Sequence, residues 1–184
     1  MSKILVGITG GIAAYKTLDL IRLLVKASHE VRTVLTVNAT QFVTPLSVET
    51  LSLNPAAIGM FGEHNRDAIE HIELGLWAEV SVVAPATANF IGKMANGIAD
   101  DLLSTTLLAL RSETPVVLAP AMNTRMWEHP AVQRNLRTLK NDLGARLHLI
   151  APQEKQLACG EWGIGAMADP AQISEQIAAL LPTL

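Results

Sequence analysis

Pro115-Val-Val-Leu-Ala-Pro-Ala-Met-Asn123 decides how this chain is read. Val116 to Ala119 is a short apolar run between prolines, the pattern of a strand buried on both faces of a parallel sheet. It ends in the kinked Ala119-Pro120-Ala121, then Met122 and an amide, Asn123. Open α/β sheets bind ligands at the C-terminal edge of their strands. The segment therefore aims one neutral donor and acceptor at that edge. Asn123 has a second reading, as the cap of a helix that starts near Thr124, and the sequence leaves both open.

Outward from that strand the chain alternates. Lys3–Ile8 reads as a strand, and Gly10-Gly11 opens a helix with Ala14, Leu18, Ile21 and Val25 on its apolar side. Val31–Leu35 is a second strand. Gln41–Leu53 is helical in parts, with Pro45 in a first turn, and 54–67 is the least regular stretch. Glu70–Trp77 reads as a short helix and Val80–Ala84 as a buried strand. Asn89–Met94 and Asp100–Leu110 read as helix, interrupted at Asn96-Gly97. Ala131–Leu143 is a helix closed by Gly144, and Arg146–Ile150 is the last strand. A long loop, Ala151 to Ala168, precedes a final helix, Ala171–Leu181, with Asp169-Pro170 as its cap and first residue. Strand–helix alternation with short connections predicts an α/β single-domain fold over 1–184, a doubly wound parallel sheet with right-handed crossovers.

Composition narrows the function classes. The chain has 184 residues, 49% hydrophobic and 17% charged, with a formal charge of −3 and no basic block, which argues against nucleic acid. No apolar run reaches the length of a membrane helix. Met1-Ser-Lys-Ile-Leu-Val runs straight into a strand with no leader pattern, and one cysteine, Cys159, fits a reducing compartment. A cytoplasmic protein acting on a small molecule is expected. The surplus apolar surface suggests contacts between subunits.

The first turn, Gly7-Ile-Thr-Gly-Gly-Ile-Ala13, places free backbone N–H groups at a helix N-terminus, an anion site that glycine lets a phosphate approach. The G-x-G-x-x-G order is missing, and the second strand ends in Thr36-Val37-Asn38, with no acidic residue to hold an NAD ribose. The turn suits a mononucleotide or flavin phosphate better than NAD. It also reads as a tight turn with no ligand. After the third strand, Ala84-Pro-Ala-Thr-Ala-Asn-Phe-Ile-Gly-Lys93 offers Thr87 and Asn89 among small residues, and Ser104 and Thr105 follow further on. Thr87 alone reads as a cap; three strand exits with small residues and neutral hydrogen-bonders read as a cleft for an isoalloxazine ring, with no charged group there to discriminate hydride cofactors. In the long loop, Cys159 sits among glycines. A thiol at its ordinary pKa of about 8.5 is mostly protonated near neutral pH and is a proton donor more readily than a nucleophile, and a buried structural cysteine is the other reading. His71 stands near a helix N-terminus, where the neutral imidazole is favoured and can act as base. His29, His64, His129 and His148 stand in no comparable context, and no metal-ligand spacing occurs.

These blocks together resemble the homo-oligomeric flavin-containing Cys decarboxylases. The resemblance rests on Gly7-Ile-Thr-Gly-Gly-Ile-Ala-Ala-Tyr-Lys16, His71-Ile-Glu-Leu-x-x-Trp-Ala78, Pro85-Ala-Thr-Ala-Asn89 with Gly97-Ile-Ala-Asp-Asp-Leu102, Pro120-Ala-Met-Asn123 with Met126-Trp127, and Leu157-Ala-Cys-Gly160 with Gly163-x-Gly-Ala-Met167. It implies a flavodoxin-like Rossmann fold, bound FMN and a homotrimer or a dodecamer of trimers, with active sites at subunit contacts. It also implies conversion of 4'-phosphopantothenoylcysteine to 4'-phosphopantetheine in coenzyme A biosynthesis. In that chemistry the flavin oxidises the substrate thiol, carbon dioxide leaves, and the enethiol is reduced again. The matching residues imply His71 as base, Cys159 as proton donor, and a substrate site of Asn123, Met122, Ala121 and Gly160. The cofactor set expected is Thr9, Gly10, Gly11, Ile12, Thr36, Thr87, Ala88, Asn89, Phe90 and Ser104. Ala166 stands where some bacterial members carry Arg. Many bacterial members continue into a synthetase domain, so a phosphopantothenate–cysteine ligase is an expected partner or fused domain. A peptidyl-cysteine decarboxylase and a non-catalytic flavoprotein that regulates a partner protein are the alternatives. The flavin prenyltransferases share the fold without the Met-Asn and Cys-Gly blocks.

Overall fold

The computed structural model describes residues 1–60, 70–158 and 160–181. Six parallel strands form one sheet: β1 (Lys3–Ile8), β2 (Glu30–Leu35), β3 (Ala56–Ala57), β4 (Val80–Ala86), β5 (Val116–Pro120) and β6 (Leu147–Leu149), in the order β3-β2-β1-β4-β5-β6. This is the doubly wound order, and its reversal lies between β1 and β4. The edge strand β3 is two residues long, in the stretch whose sequence reads as irregular; without it, the remaining five strands have the flavodoxin-like order. The helices are α1 (Ala14–Lys26), α2 (Pro45–Ser52), α3 (Glu70–Trp77), α4 (Ala88–Ala95), α5 (Leu102–Leu108), α6 (Thr124–Trp127), α7 (Pro130–Leu143) and α8 (Pro170–Leu180).

Side chains of a strand alternate between faces, and β1 feeds two cores. Ile4, Val6 and Ile8 join Leu20, Ile21 and Leu24 of α1 and Ile173 and Ile177 of α8. Leu5 joins Phe90, Leu102, Leu103, Leu136 and Leu139 on the other face. Each such buried Leu or Ile contributes about 1.5–3 kcal/mol, as an upper range from transfer data. Both faces being covered explains why the strands read as continuous apolar runs.

The long loop expected at Ala151 to Ala168 is not a loop. Gln153–Gln156 (β7) and Trp162–Ala166 (β8) pair antiparallel as a separate hairpin, so β6 is not the last strand. Asp169 occupies the cap position of α8, yet its side chain makes no capping bond. It accepts from Lys155 Nζ (2.8 Å) and Gln153 Nε2 (3.3 Å), pinning the hairpin to the helix instead. The Lys155 bond, and then Gln153, hold its carboxyl below the usual value.

Candidate functional site

Strand β4 pairs with β1 only as far as Val83, and its register with β5 slips between Val83 and Ala86. Beyond that point the carbonyls of Ala84 and Pro85 need new donors. Thr17 Oγ1 of α1 donates to Ala84 O (2.6 Å) and Thr9 Oγ1 donates to Pro85 O (2.6 Å), both buried. Thr9 Oγ1 also accepts from Thr87 N (3.1 Å). Two threonines that sequence places in one turn and one helix thus lock the β1 and β4 exits together.

That junction is the floor of a cleft of about 900 Å³ at the sheet's switch point, within the range of cofactor sites. Its lining holds Thr9, Gly10, Gly11 and Ile12 from the first turn, Thr36 after β2, and Thr87, Ala88, Asn89 and Phe90 after β4. Ala121, Met122 and Asn123 line the opposite wall. Three strand exits far apart in sequence therefore meet. Among the described residues, the N–H groups of Gly10, Gly11, Ile12 and Ala13 donate to no backbone carbonyl, helix α1 starting only at Ala14. A Cβ at Gly10 would run into Asn38 and come within 2.9 Å of its carbonyl carbon, while one at Gly11 would meet little but the Thr87 methyl at 3.4 Å. Gly10 thus lets the β2 exit close over the turn without a side chain covering these N–H groups. These features fit a flavin phosphate.

Charge enters where a neutral lining is expected: Lys16, Lys93 and Asp101 line the cleft. Lys93 Nζ is clamped by Asp100 (2.6 Å) and Asp101 (2.7 Å). Burial opposes ionisation of Asp101, but the Lys93 bond and the Ser104 N–H outweigh it and hold the carboxyl below its ordinary value. Ser104 is not in the cleft lining. It is buried, and its hydroxyl and N–H close a capping box with Asp101 at the start of α5.

Asn123 lines the cleft and is also the cap of α6. Its Oδ1 accepts from Arg125 N (2.9 Å), capping α6, and its Nδ2 donates to Glu161 Oε2 (3.4 Å). The hairpin forms the remaining wall, through Gln156, Leu157, Gly165 and Met167 among others. Sequence reading missed this wall. Its signal was the alternation of Trp162, Ile164 and Ala166 with Gly163 and Gly165 after a glycine-bearing turn; the wholly polar Gln153–Gln156 carried none. Met122 N donates to Gly165 O (3.0 Å), and a Cβ at Gly163 or Gly165 would strike Thr124 or Met122. Gly163 and Gly165, placed by sequence in a long loop, bring β8 against the β5 exit. Gly160, at φ +86, lies on the hairpin turn and outside the lining. Cys159 lies outside the described residues.

His71 is on α3, also away from the cleft lining of this single chain. The helix is seated by Gly75, where a Cβ would lie 2.7 Å from Ala109 O. Its end is tied down by Arg111 NH2 and Thr114 Oγ1, which donate to Ala78 O at 3.0 and 3.3 Å. Beside His71 the helix exposes Ile72 and Leu76, near Leu108 of α5 (42%, 55% and 58% exposed). Among the described residues no helix is long and apolar enough to cross a membrane.

The Flavoprotein family model matches residues 1–182. The chain is 47% identical over 170 residues to the coenzyme A biosynthesis bifunctional protein CoaBC of Haemophilus influenzae, covering 92% of this chain and 41% of that protein. It thus spans about two fifths of the length of that relative. Among solved structures it is similar to a PPC decarboxylase mutant complexed with pantothenoylaminoethenethiol, with TM-score 0.84, 34% identity and 97% of each chain covered. It is also similar to the FMN-dependent cysteine decarboxylase SpaF, with TM-score 0.81, 33% identity, and 98% of this chain and 97% of that one covered. With a cleft at the sheet's switch point and these likenesses over nearly its whole length, the chain belongs to the Flavoprotein family, in the group that holds PPC decarboxylase and the FMN-dependent cysteine decarboxylases.

Proposed function

We propose that residues 1–184 act as one FMN-dependent decarboxylase domain that converts 4'-phosphopantothenoylcysteine to 4'-phosphopantetheine in coenzyme A biosynthesis. The observation that carries this reading is the cleft itself: bare N–H groups from Gly10 to Ala13 on one side and the Asn123 amide on the other. The likeness to a PPC decarboxylase with a pantothenoyl ligand supports the substrate, and that to SpaF supports FMN.

When bound, FMN supplies the acceptor and donor of electrons that make the thiol carbon chemistry accessible. The chain's own residues do the rest. Gly10 to Ala13 and Thr36 hold the phosphate, and Thr87, Ala88, Asn89 and Phe90 line the cleft beyond it. Asn123 donates to the substrate carboxylate through a neutral amide, which orients it. His71 takes the proton of the thiol, and Cys159 returns a proton to carbon at the end. Ala121 and Met122 flank the carboxylate site, and Gly160 lets the hairpin turn approach. The hairpin wall keeps bulk water from the reacting atoms.

His71 reaches this site from a neighbouring copy, in a homotrimer or a dodecamer of trimers. The exposed Ile72, Leu76 and Leu108 beside it support a covered face there. A phosphopantothenate–cysteine ligase, fused or separate, supplies the substrate, and the place of work is the cytoplasm. The test is direct. The purified protein is expected to be yellow and to release carbon dioxide from phosphopantothenoylcysteine. A colourless protein that cannot be loaded with FMN, or a loaded one that releases none, overturns the reading. The likeness to SpaF favours one second reading, action on a peptide's C-terminal cysteine, and carbon dioxide release from such a peptide alone would select it.

A further inference from the structure

The Asn123 amide, to which the proposed function gives the substrate carboxylate, already faces a carboxylate of this chain. Arg125 N–H can only donate, so the Asn123 atom 2.9 Å from it must be Oδ1, and the NH2 group is left to face Glu161. Glu161 Oε2 accepts from Asn123 Nδ2 at 3.4 Å, and Glu161 Oε1 accepts from Arg125 NH2 at 3.3 Å. Glu161 is the last residue of the hairpin turn. That turn is closed by Leu157 N to Glu161 O and Gly160 N to Leu157 O, both 2.8 Å. Behind it, Gly163 and Gly165 seat β8 against Thr124 and Met122 with no room for a side chain. The hairpin thus delivers a carboxylate to the amide and guanidinium of the β5 exit.

We propose that Glu161 is a latch and a positioning residue: its carboxylate stands in for the substrate's, and an entering carboxylate displaces it from Asn123 and Arg125. This rests on the reading of Asn123 as the carboxylate site. The exchange is one anion for another, so the charge beside Arg125 is the same before and after. Both contacts are long, and the Arg125 and Glu161 side chains are 85% and 51% exposed, so these two contacts exchange readily. A ligand without a carboxylate has nothing to replace Glu161 with. The latch therefore lowers affinity for carboxylated ligands by the strength of its own contacts and leaves the decarboxylated product unaffected.

The test uses two unreactive probes on the flavin-loaded oligomer. Phosphopantothenoylserine keeps the carboxylate and lacks the thiol, and phosphopantothenoyl-ethanolamine lacks both. Binding is followed by the change in flavin absorbance. Glu161→Gln is expected to bind the serine probe about three- to fivefold tighter, the range of an exposed ion pair, and the ethanolamine probe as the wild type does. Glu161→Asp, which keeps the charge, should keep the wild-type preference. Unchanged or weaker serine-probe binding in Glu161→Gln, or an equal change for both probes, overturns the latch. Asn123→Ser separates the two readings. If it leaves the preference between probes as in the wild type, the carboxylate role fails and the latch with it. A preference set by Asn123 but indifferent to Glu161 overturns the latch alone.

Discussion

The floor and the rim of the cleft are both held by side-chain hydrogen bonds, but to opposite ends. At the floor, Thr9 and Thr17 hydroxyls meet the carbonyls of Pro85 and Ala84 at 2.6 Å in buried positions. At the rim, Asn123, Arg125 and Glu161 meet at 3.3–3.4 Å in exposed ones. A buried hydrogen bond is costly to break because its partner is then left without water. An exposed one exchanges readily. The floor is thus fixed in advance, as the proposed FMN site requires, and the rim contacts exchange readily, as the proposed latch requires. His71 belongs to neither, since α3 holds it away from the cleft of one chain.

The largest effect should come from that third place. His71→Asn is expected to lower decarboxylation by about 10²–10⁴-fold, the contribution of a positioned base, with flavin content unchanged. Oligomers that mix His71→Asn with Asn123→Asp should regain activity, because one site then draws its good residues from two chains. Loss of flavin with activity, or no recovery on mixing, would move His71 into the floor or deny the shared site.

Gly10→Ala attacks the floor where it is tightest. The new Cβ must push Asn38 away. Overpacking of about 1–3 kcal/mol, if it falls on the bound state, weakens FMN by roughly 5- to 150-fold. Titration of the apoprotein with FMN measures it, and the rim's ligand preference should not change. Thr9→Val leaves the Pro85 carbonyl buried without its donor, at about 1–3 kcal/mol. For a chain of this size that lowers the melting temperature by about 2–10 °C. An unchanged melting temperature would show that the floor is no stiffer than the rim.

The smallest effect concerns Asp101, between the two regions. Its folded pKa lies below the ordinary carboxylate value. Its stabilising contribution is therefore complete above that ordinary value and is lost as pH falls through the folded one. Asp101→Asn should flatten the acid limb of a urea-unfolding profile against pH, with little change near neutrality beyond the lost Lys93 pair, since Asn still caps α5. An unaltered acid limb would refute this.

Much of this was legible in the chain. Buried parallel strands announce themselves as apolar runs, so β1, β4 and β5 were found nearly to the residue, and α3 to both ends. Thr9 to Ile12, Thr87 to Phe90 and Asn123 were candidates because a strand exit followed by small and neutral residues has few other uses. The hairpin was not legible. β7 and β8 lie off the main sheet, bury little, and include Gly163 and Gly165 for a contact that exists only once α6 is in place. Ser104 entered the expected cofactor set through the family resemblance; here its hydroxyl is engaged by Asp101 in a capping box and lies outside the cleft lining. The clamp of Lys93 by Asp100 and Asp101 was missed, since a turn must fold before those charges meet.

What the sequence determined by itself is local and periodic: which runs bury, where helices start, and which turn leaves N–H groups bare for an anion. These follow from side-chain alternation, glycine and caps, which act within a few residues. Only the tertiary structure decided that three strand exits share one cleft and that the carbonyls at the β4 slip are answered by Thr9 and Thr17. It alone decided too that Glu161 faces Asn123 and that His71 stands apart. Those outcomes depend on crossover direction and on close backbone contacts across dozens of residues, which no local pattern encodes.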